Sequence, residues 1–180
     1  MPRKGIIAGQ INISKMSLNS ELALDRFMHE GELNIVAIQE TGTWTASSES
    51  FRHKKVFQKN GEGPTDTAGV ALIIDETLQP ELITDIIEPE LDVIWCQIKV
   101  EGKRYMIGSA YCKPGSDSRD SLARFEILSR HMDTARKYRI KHNFNSSILY
   151  GDFNARHTEW GDHSVSPRGR SLLAYAEKES

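Results

Sequence analysis

Residues 34–40, NIVAIQE, run apolar without alternation and then stop on two polar side chains. A strand with one wet face alternates apolar and polar residues, whereas an unbroken apolar run belongs to a strand covered on both faces. Residues 146–151, SSILYG, read as a second buried strand, and it too breaks into polar residues, Asp152-Phe153-Asn154. A chain carrying such strands needs packed layers on both sides of a sheet.

The remaining pattern supplies those layers. Residues 5–13 (GIIAGQINI) read as a first strand, and 69–74 (GVALII), 82–87 (LITDII), 92–100 (DVIWCQIKV) and 103–111 (KRYMIGSAY) as further strands. Glu101-Gly102 suits a tight hairpin turn between the last two. Residues 19–31 read as a helix capped by Asn19 or Ser20 and ended by Gly31. A longer helix spans about 118–140, where Leu122, Phe125, Leu128, Met132 and Ala135 form an apolar stripe. Residues 42–68 are polar and rich in Gly, Ser and Thr, a long loop or a loop with a hairpin around Val56 and Phe57. After Pro167 comes a final helix, RGRSLLAYAEKES, with no C-cap before residue 180. The expected class is α/β or α+β: a mixed sheet with helices outside, in a layered sandwich.

At 180 residues this is one domain, long enough to bury about 70% of its unfolded surface. No apolar run approaches the ~20 residues that span a bilayer. The basic start, MPRKGIIAGQINI, is too short and interrupted in its apolar part to read as a signal peptide. Cys96 and Cys112 sit in apolar runs without a CxxC pattern, as buried free thiols. Net charge is −2, so overall charge does not announce nucleic acid. It is unevenly spread, −7 over residues 75–101 and +4 over 119–141. A basic helix can face a phosphate backbone or simply solvent.

Chemistry concentrates at strand ends. Strand one ends in Gln10-Ile11-Asn12, the 34–40 strand in Gln39-Glu40-Thr41, the 103–111 strand at Tyr111 before Lys113-Pro114-Gly115, and the 146–151 strand in Asp152-Phe153-Asn154. Ligands sit where strand ends converge. Asp152 and Asn154 are two apart and share a side in extended chain; alternatively they form a turn whose side chains bond their own backbone. Hard oxygen ligands suit Mg²⁺ or Mn²⁺. A second carboxylate can deprotonate water, and amide or phenol donors can neutralise charge on a phosphate. This is a toolkit for phosphodiester hydrolysis.

The series QIN (10–12), IVAIQET (35–41), GVALII (69–74), SAYCKPG (109–115) and YGDFNARHTEWG (150–161) resembles the endonuclease/exonuclease/phosphatase superfamily. The stretch GDFNARHTEWGD…SPRGRSLLAY is most similar to the endonuclease domain of jockey-like non-LTR retrotransposons. The resemblance implies a four-layer α/β/β/α sandwich of the deoxyribonuclease I-like type. It also implies Glu40 as metal ligand for Mg²⁺ (or Mn²⁺), and Asn12 as support for the metal and phosphate site. Tyr111 would contact the scissile phosphate, Asp152 orient or activate the nucleophilic water, and Asn154 steady phosphate and nucleophile. His157 and Gln39 are site-adjacent candidates. Lys113, Arg119 and Arg156 are candidate DNA contacts, together with Arg52, His53, Lys54 and Lys55.

Two departures qualify the likeness. Ser14 stands where many members carry an acidic residue. The family's closing Ser-x-x-Asp strand and Ser-Asp-His are absent, and Asp162-His163 lies too close behind Asp152 to replace them. The expectation is a domain truncated at its C-terminal end, part of a longer endonuclease/reverse-transcriptase protein acting on DNA in the nucleus. Alternatives are a phosphatase or phospholipid phosphodiesterase of the same superfamily, and an inactive remnant that binds nucleic acid.

Overall fold

In the computed structural model, which describes residues 5–47, 49–62 and 67–179, the apolar runs of residues 35–39 and 69–74 are buried on both faces, whereas the strand expected to be buried over 146–151 lies at a sheet edge with Ile148 47% exposed. The strands are β1 (Ala8–Asn12), β2 (Ile35–Gln39), β3 (Lys54–Asn60), β4 (Gly69–Asp75), β5 (Glu81–Leu82), β6 (Asp92–Val100), β7 (Lys103–Tyr111) and β8 (Ser146–Asp152). The helices are α1 (Leu18–Glu30), α2 (Ser118–Lys141) and α3 (Pro167–Glu179). The strands form two four-stranded sheets, in the orders β1-β2-β4-β3 and β5-β6-β7-β8. Each is mixed. β1 runs parallel to β2, and β7 to β8, while the other neighbours are antiparallel.

Side-chain alternation along the strands builds the layers. Ile35 and Ala37 of β2 and Val70, Leu72 and Ile74 of β4 face the second sheet, where they meet Ile94, Cys96, Ile98 and Ile107. The intervening Val36, Ile38, Ala71 and Ile73 face outward and pack under Leu24 and Met28 of α1. In the second sheet Val93, Trp95, Met106 and Ala110 face outward, against Phe125, Leu128 and Ala135 of α2 and Leu172 of α3. The result is a four-layer α/β/β/α sandwich with three apolar seams.

Local chemistry starts and stops the elements. Ser17, rather than Asn19 or Ser20, caps α1, and Ser20 closes a reciprocal capping box with it. Asp117 caps α2 through the backbone N–H groups of Arg119 and Asp120. The Glu101-Gly102 turn has both residues at positive φ, 49° and 76°, as a two-residue hairpin with the twist of its strands requires. Buried Glu21 of α1 accepts from Trp44 Nε1 and Ser47 N, both at 2.8 Å, and so ties the polar loop onto the helix.

Besides the edge strand β8, two elements differ from the sequence-based expectation. Residues 82–87 are not a strand: only Glu81 and Leu82 pair with β6. Ile83 and Ile86 instead turn into the α2-side core, and Lys59 Nζ holds the following loop through the carbonyls of Glu88, Pro89 and Leu91. The Val56-Phe57 insert is a full seven-residue strand, β3, paired along β4. Residues 1–4 of the basic N-terminus, and 48 and 63–66 of the polar loop, lie outside the described residues. No helix among the described residues is long and apolar enough to cross a membrane.

Candidate active site

The strand registers put the polar strand tips on one rim of the sandwich. In the first sheet Asn12 pairs with Gln39, Gln39 with Val70, and Val70 with Lys59. In the second, Asp92 pairs with Tyr111, and Tyr111 with Asp152. The edge strands β1 and β8 meet across the gap between the sheets. There the Gln10 carboxamide exchanges two 3.1 Å hydrogen bonds with the backbone of Gly151, Nε2 donating to its carbonyl and its N–H donating to Oε1. That pair behaves like one rung of a ladder made by a side chain.

Just above it, Asn12 Nδ2 donates to Glu40 Oε1 at 2.6 Å and to Asp152 Oδ2 at 2.9 Å. Asn12 Oδ1 accepts from Ser14 N at 3.3 Å, which orients the amide with its NH₂ toward the carboxylates. One amide group therefore holds two carboxylates that would otherwise repel. Glu40 adopts φ 59°, the left-handed region that a glutamate rarely enters. Gln39 follows the alternation of Ile35 and Ala37 and points between the sheets, and the left-handed turn at Glu40 ends β2 where the Glu40 side chain reaches Asn12. Strain of this kind persists where surrounding contacts over-determine it: the Glu40 carbonyl accepts from Lys15 N at 2.6 Å.

Asp152 makes both a local turn bond and a contact across the rim. Its Oδ1 accepts from Asn154 N at 3.0 Å, the local turn bond, while Oδ2 faces Asn12. Asn154 takes φ 48°, which asparagine tolerates, and its Nδ2 donates to the Cys112 carbonyl at 3.0 Å. Phe153, between them, packs into the α2-side core. Tyr111, 8% exposed, lies beside Glu40, Asp152 and Asn154. Burial first, then the neighbouring Glu40 and Asp152 charges, push its hydroxyl up to about 12. The phenol is thus a neutral donor at any physiological pH.

The other sequence candidates fall in several places. Gln39 is fully buried beneath the rim, where Nε2 donates to Ser109 Oγ at 3.0 Å and bridges the two sheets. His157 caps a short 3₁₀ turn, its Nδ1 accepting from Glu159 N at 3.1 Å and its ring packing 5.1 Å from Trp160. Lys113 pairs with Asp92 at 3.7 Å. Arg119 is exposed in the first turn of α2, and Arg156 is exposed where its backbone pairs with Ser166. Arg52 to Lys55 lie at the start of β3, the end away from the rim; Lys59, which sequence reasoning passed over, lies at the rim end.

Sequence reasoning also gave no role to Arg168, although its motif, Pro167-Arg168-Gly169, stood out. Its guanidinium is 1% exposed and donates five hydrogen bonds to four backbone carbonyls. Gly169 follows because a Cβ there would stand 1.9 Å from the Arg156 carbonyl. An arginine and a glycine directly after the proline that opens the helix were the available signal.

The donor set suits one kind of ion. Among the described residues no three His, Cys, Asp or Glu side chains gather as a metal cluster. Two carboxylates with an amide between them fit a hard dication that keeps most of its water, as Mg²⁺ does, and not the nitrogen- and sulfur-rich sets that zinc takes.

A two-sheet sandwich with helices on both outer faces and polar strand tips at one rim is a deoxyribonuclease I-like fold. Residues 105–180 match the family model described as "Endonuclease-reverse transcriptase". The chain is similar to the endonuclease domain of TRAS1, a telomere-specific non-LTR retrotransposon, with TM-score 0.68 and 21% identity over 94% of this chain and 68% of that one. It is also similar to D. rerio TDP2 complexed with a single-strand DNA product, with TM-score 0.56 and 15% identity over 86% and 62%. A third likeness is to an endonuclease/exonuclease/phosphatase family protein from Leptotrichia buccalis, with TM-score 0.58 and 13% identity over 95% and 73%. At such identities the likeness speaks for the fold, and the chain spans roughly two thirds of these structures. No curated protein sequence matches it. The resemblance seen in the sequence motifs thus holds in the family model over residues 105–180 and in the fold.

Proposed function

We propose that this chain is a divalent-metal-dependent endonuclease domain that hydrolyses a phosphodiester of DNA, nicking a target for retrotransposon integration. The observation that carries the reading is the single Asn12 amide shared by Glu40 and Asp152, at 2.6 and 2.9 Å, beside a neutral Tyr111. Glu40, with Asp152 next to it, would hold Mg²⁺ or Mn²⁺. When bound, the ion polarises a phosphoryl oxygen and stabilises the leaving alkoxide.

The side chains do the rest. Asp152 accepts the proton of the attacking water or fixes its orientation; its anchored Oδ1 and Oδ2 leave the carboxylate little freedom to swing. Asn12 bridges the two carboxylates and offsets their repulsion. Tyr111 and Asn154 offer neutral donors toward developing phosphate charge, without the repulsion a phenolate would add. Lys113, Arg119 and Arg156 would meet flanking phosphates. The single-strand DNA product bound by TDP2 and the retrotransposon origin of the TRAS1 domain favour DNA as substrate. A reverse-transcriptase domain in the same protein and a nuclear site of action follow from this reading.

The test is plasmid nicking. The purified 180-residue chain with Mg²⁺ should convert supercoiled to nicked circles, and Glu40→Gln should abolish the conversion with the fold intact. Equal activity in wild type and Glu40→Gln would remove the reading.

A further inference from the structure

We propose that Arg168 is the positioning residue of this site: a buried guanidinium on α3 that sets the two strand ends carrying Tyr111 and Asp152. The proposal rests on the nuclease reading above for its functional consequence, though not for its structural one.

An arginine has five N–H donors in a planar fork. All five are used here. Nε and Nη2 donate to the Ser121 carbonyl of α2 at 3.2 and 2.9 Å, and Nη2 also to Lys113 O at 3.1 Å. Nη1 donates to Cys112 O at 3.1 Å and to Phe153 O at 3.0 Å. These acceptors are not scattered. Cys112 and Lys113 directly follow Tyr111, and Phe153 lies between Asp152 and Asn154. The same Cys112 carbonyl also accepts from Asn154 Nδ2 at 3.0 Å, and Cys112 N donates to Asp152 O at 2.9 Å. One planar group thereby fixes the spacing of the two chain segments just beyond β7 and β8, where ladder pairing stops.

The economics of burial argue against a merely structural arginine. A buried guanidinium pays a large desolvation cost, and an apolar side chain would fill the same volume more cheaply. No carboxylate is paired with it among the described residues; backbone carbonyl dipoles do all the solvating. What a fork offers that leucine cannot is fixed angles between several acceptors, and misplacing a reacting group by about 1 Å costs on the order of a hundredfold in rate. Ser166, whose Oγ accepts from Gly169 N at 2.9 Å and from Arg156 N at 3.1 Å, holds the helix start in place for this contact.

The experiment uses the full 180-residue chain as wild type, Arg168→Lys and Arg168→Ala, with Arg170→Ala as an exposed control on the same helix. Nicking kinetics and peptide-level hydrogen exchange are measured in each. Arg168→Lys should stay folded and lose about a hundredfold in turnover with KM within twofold. Arg168→Ala should regain part of its turnover on adding millimolar guanidinium, and methylammonium should do less. In both variants exchange should accelerate in peptides covering 111–113 and 152–154 while β4 and β6 keep their protection. Wild-type turnover in a folded Arg168→Lys, or exchange that rises uniformly, overturns the proposal. Unfolding of both variants even with guanidinium also overturns it, by making Arg168 a residue of global stability. If wild type itself does not nick DNA, the nuclease reading fails while the exchange data still decide whether Arg168 sets these two segments.

Discussion

The Asn12 side chain at the tip of β1 donates to the Asp152 carboxylate at the tip of β8, 2.9 Å away and in the other sheet. Since its second proton goes to Glu40, the amide is a spacer between two negative charges. Asn12→Ala removes both bonds and leaves the carboxylates facing each other. Nicking should fall by about a hundredfold, the scale seen when one preorganised donor is removed. Asn12→Asp should be at least as inactive, because it adds a third negative charge. Steady-state kinetics at saturating Mg²⁺ on folded protein checks both.

Metal binding has a readout independent of turnover. An ion held by the folded Glu40 and Asp152, and not by the unfolded chain, stabilises the fold by about 2.7 kcal/mol at one hundred times its dissociation constant. Chemical denaturation with increasing Mn²⁺ should show this rise in wild type. Glu40→Gln should flatten it, and EDTA should reverse it.

Gly169→Ala tests the packing of α3 against the loop that follows Asp152. The added Cβ would meet the Arg156 carbonyl at 1.9 Å, and a backbone atom cannot move aside as a side-chain tip can. We expect a loss of about 2–3 kcal/mol, in the range of overpacked sites. Urea unfolding gives the number, and an unchanged midpoint would contradict the close approach.

His131 makes the fold acid-sensitive. It is 4% exposed, and its Nε2 accepts from Trp95 Nε1 at 3.0 Å, which requires the neutral ring. Burial, with Lys59 as a smaller cause, lowers its pKa from the usual 6.5. The unfolded chain therefore binds this proton more readily than the folded one. Its stabilising contribution is complete above pH 6.5 and declines as pH falls through the lowered folded value. Stability should drop between neutral pH and the acid side of 6.5, and His131→Gln should be less stable at pH 7 but flatter across that window. Thermal unfolding at closely spaced pH values resolves the difference.

Local pattern sufficed where local physics decides. Unalternated apolar runs announced the doubly covered β2 and β4 though not the partly exposed edge strand β8, the Leu122-to-Ala135 stripe announced α2, and Glu101-Gly102 announced the β6–β7 hairpin. Polar residues stopping those runs marked Asn12, Glu40, Tyr111 and Asp152 as a group. Apolar content alone misled at residues 82–87, since Ile83 and Ile86 bury equally well from a turn as from a strand. It also undervalued Val56-Phe57, whose pairing with β4 depends on partners far along the chain.

What the sequence by itself determined is the set of elements and the kinds of side chain at their ends, because propensity, periodicity and capping act over a few residues. Only the tertiary structure decided that Asn12 donates to Asp152, 140 positions away, that Gln10 acts as a rung between the sheets, and that Arg168 is buried among carbonyls. Those relations depend on strand register and on the angle at which helices cross the sheets. Both are set by the packing of the whole sandwich, which no single segment encodes.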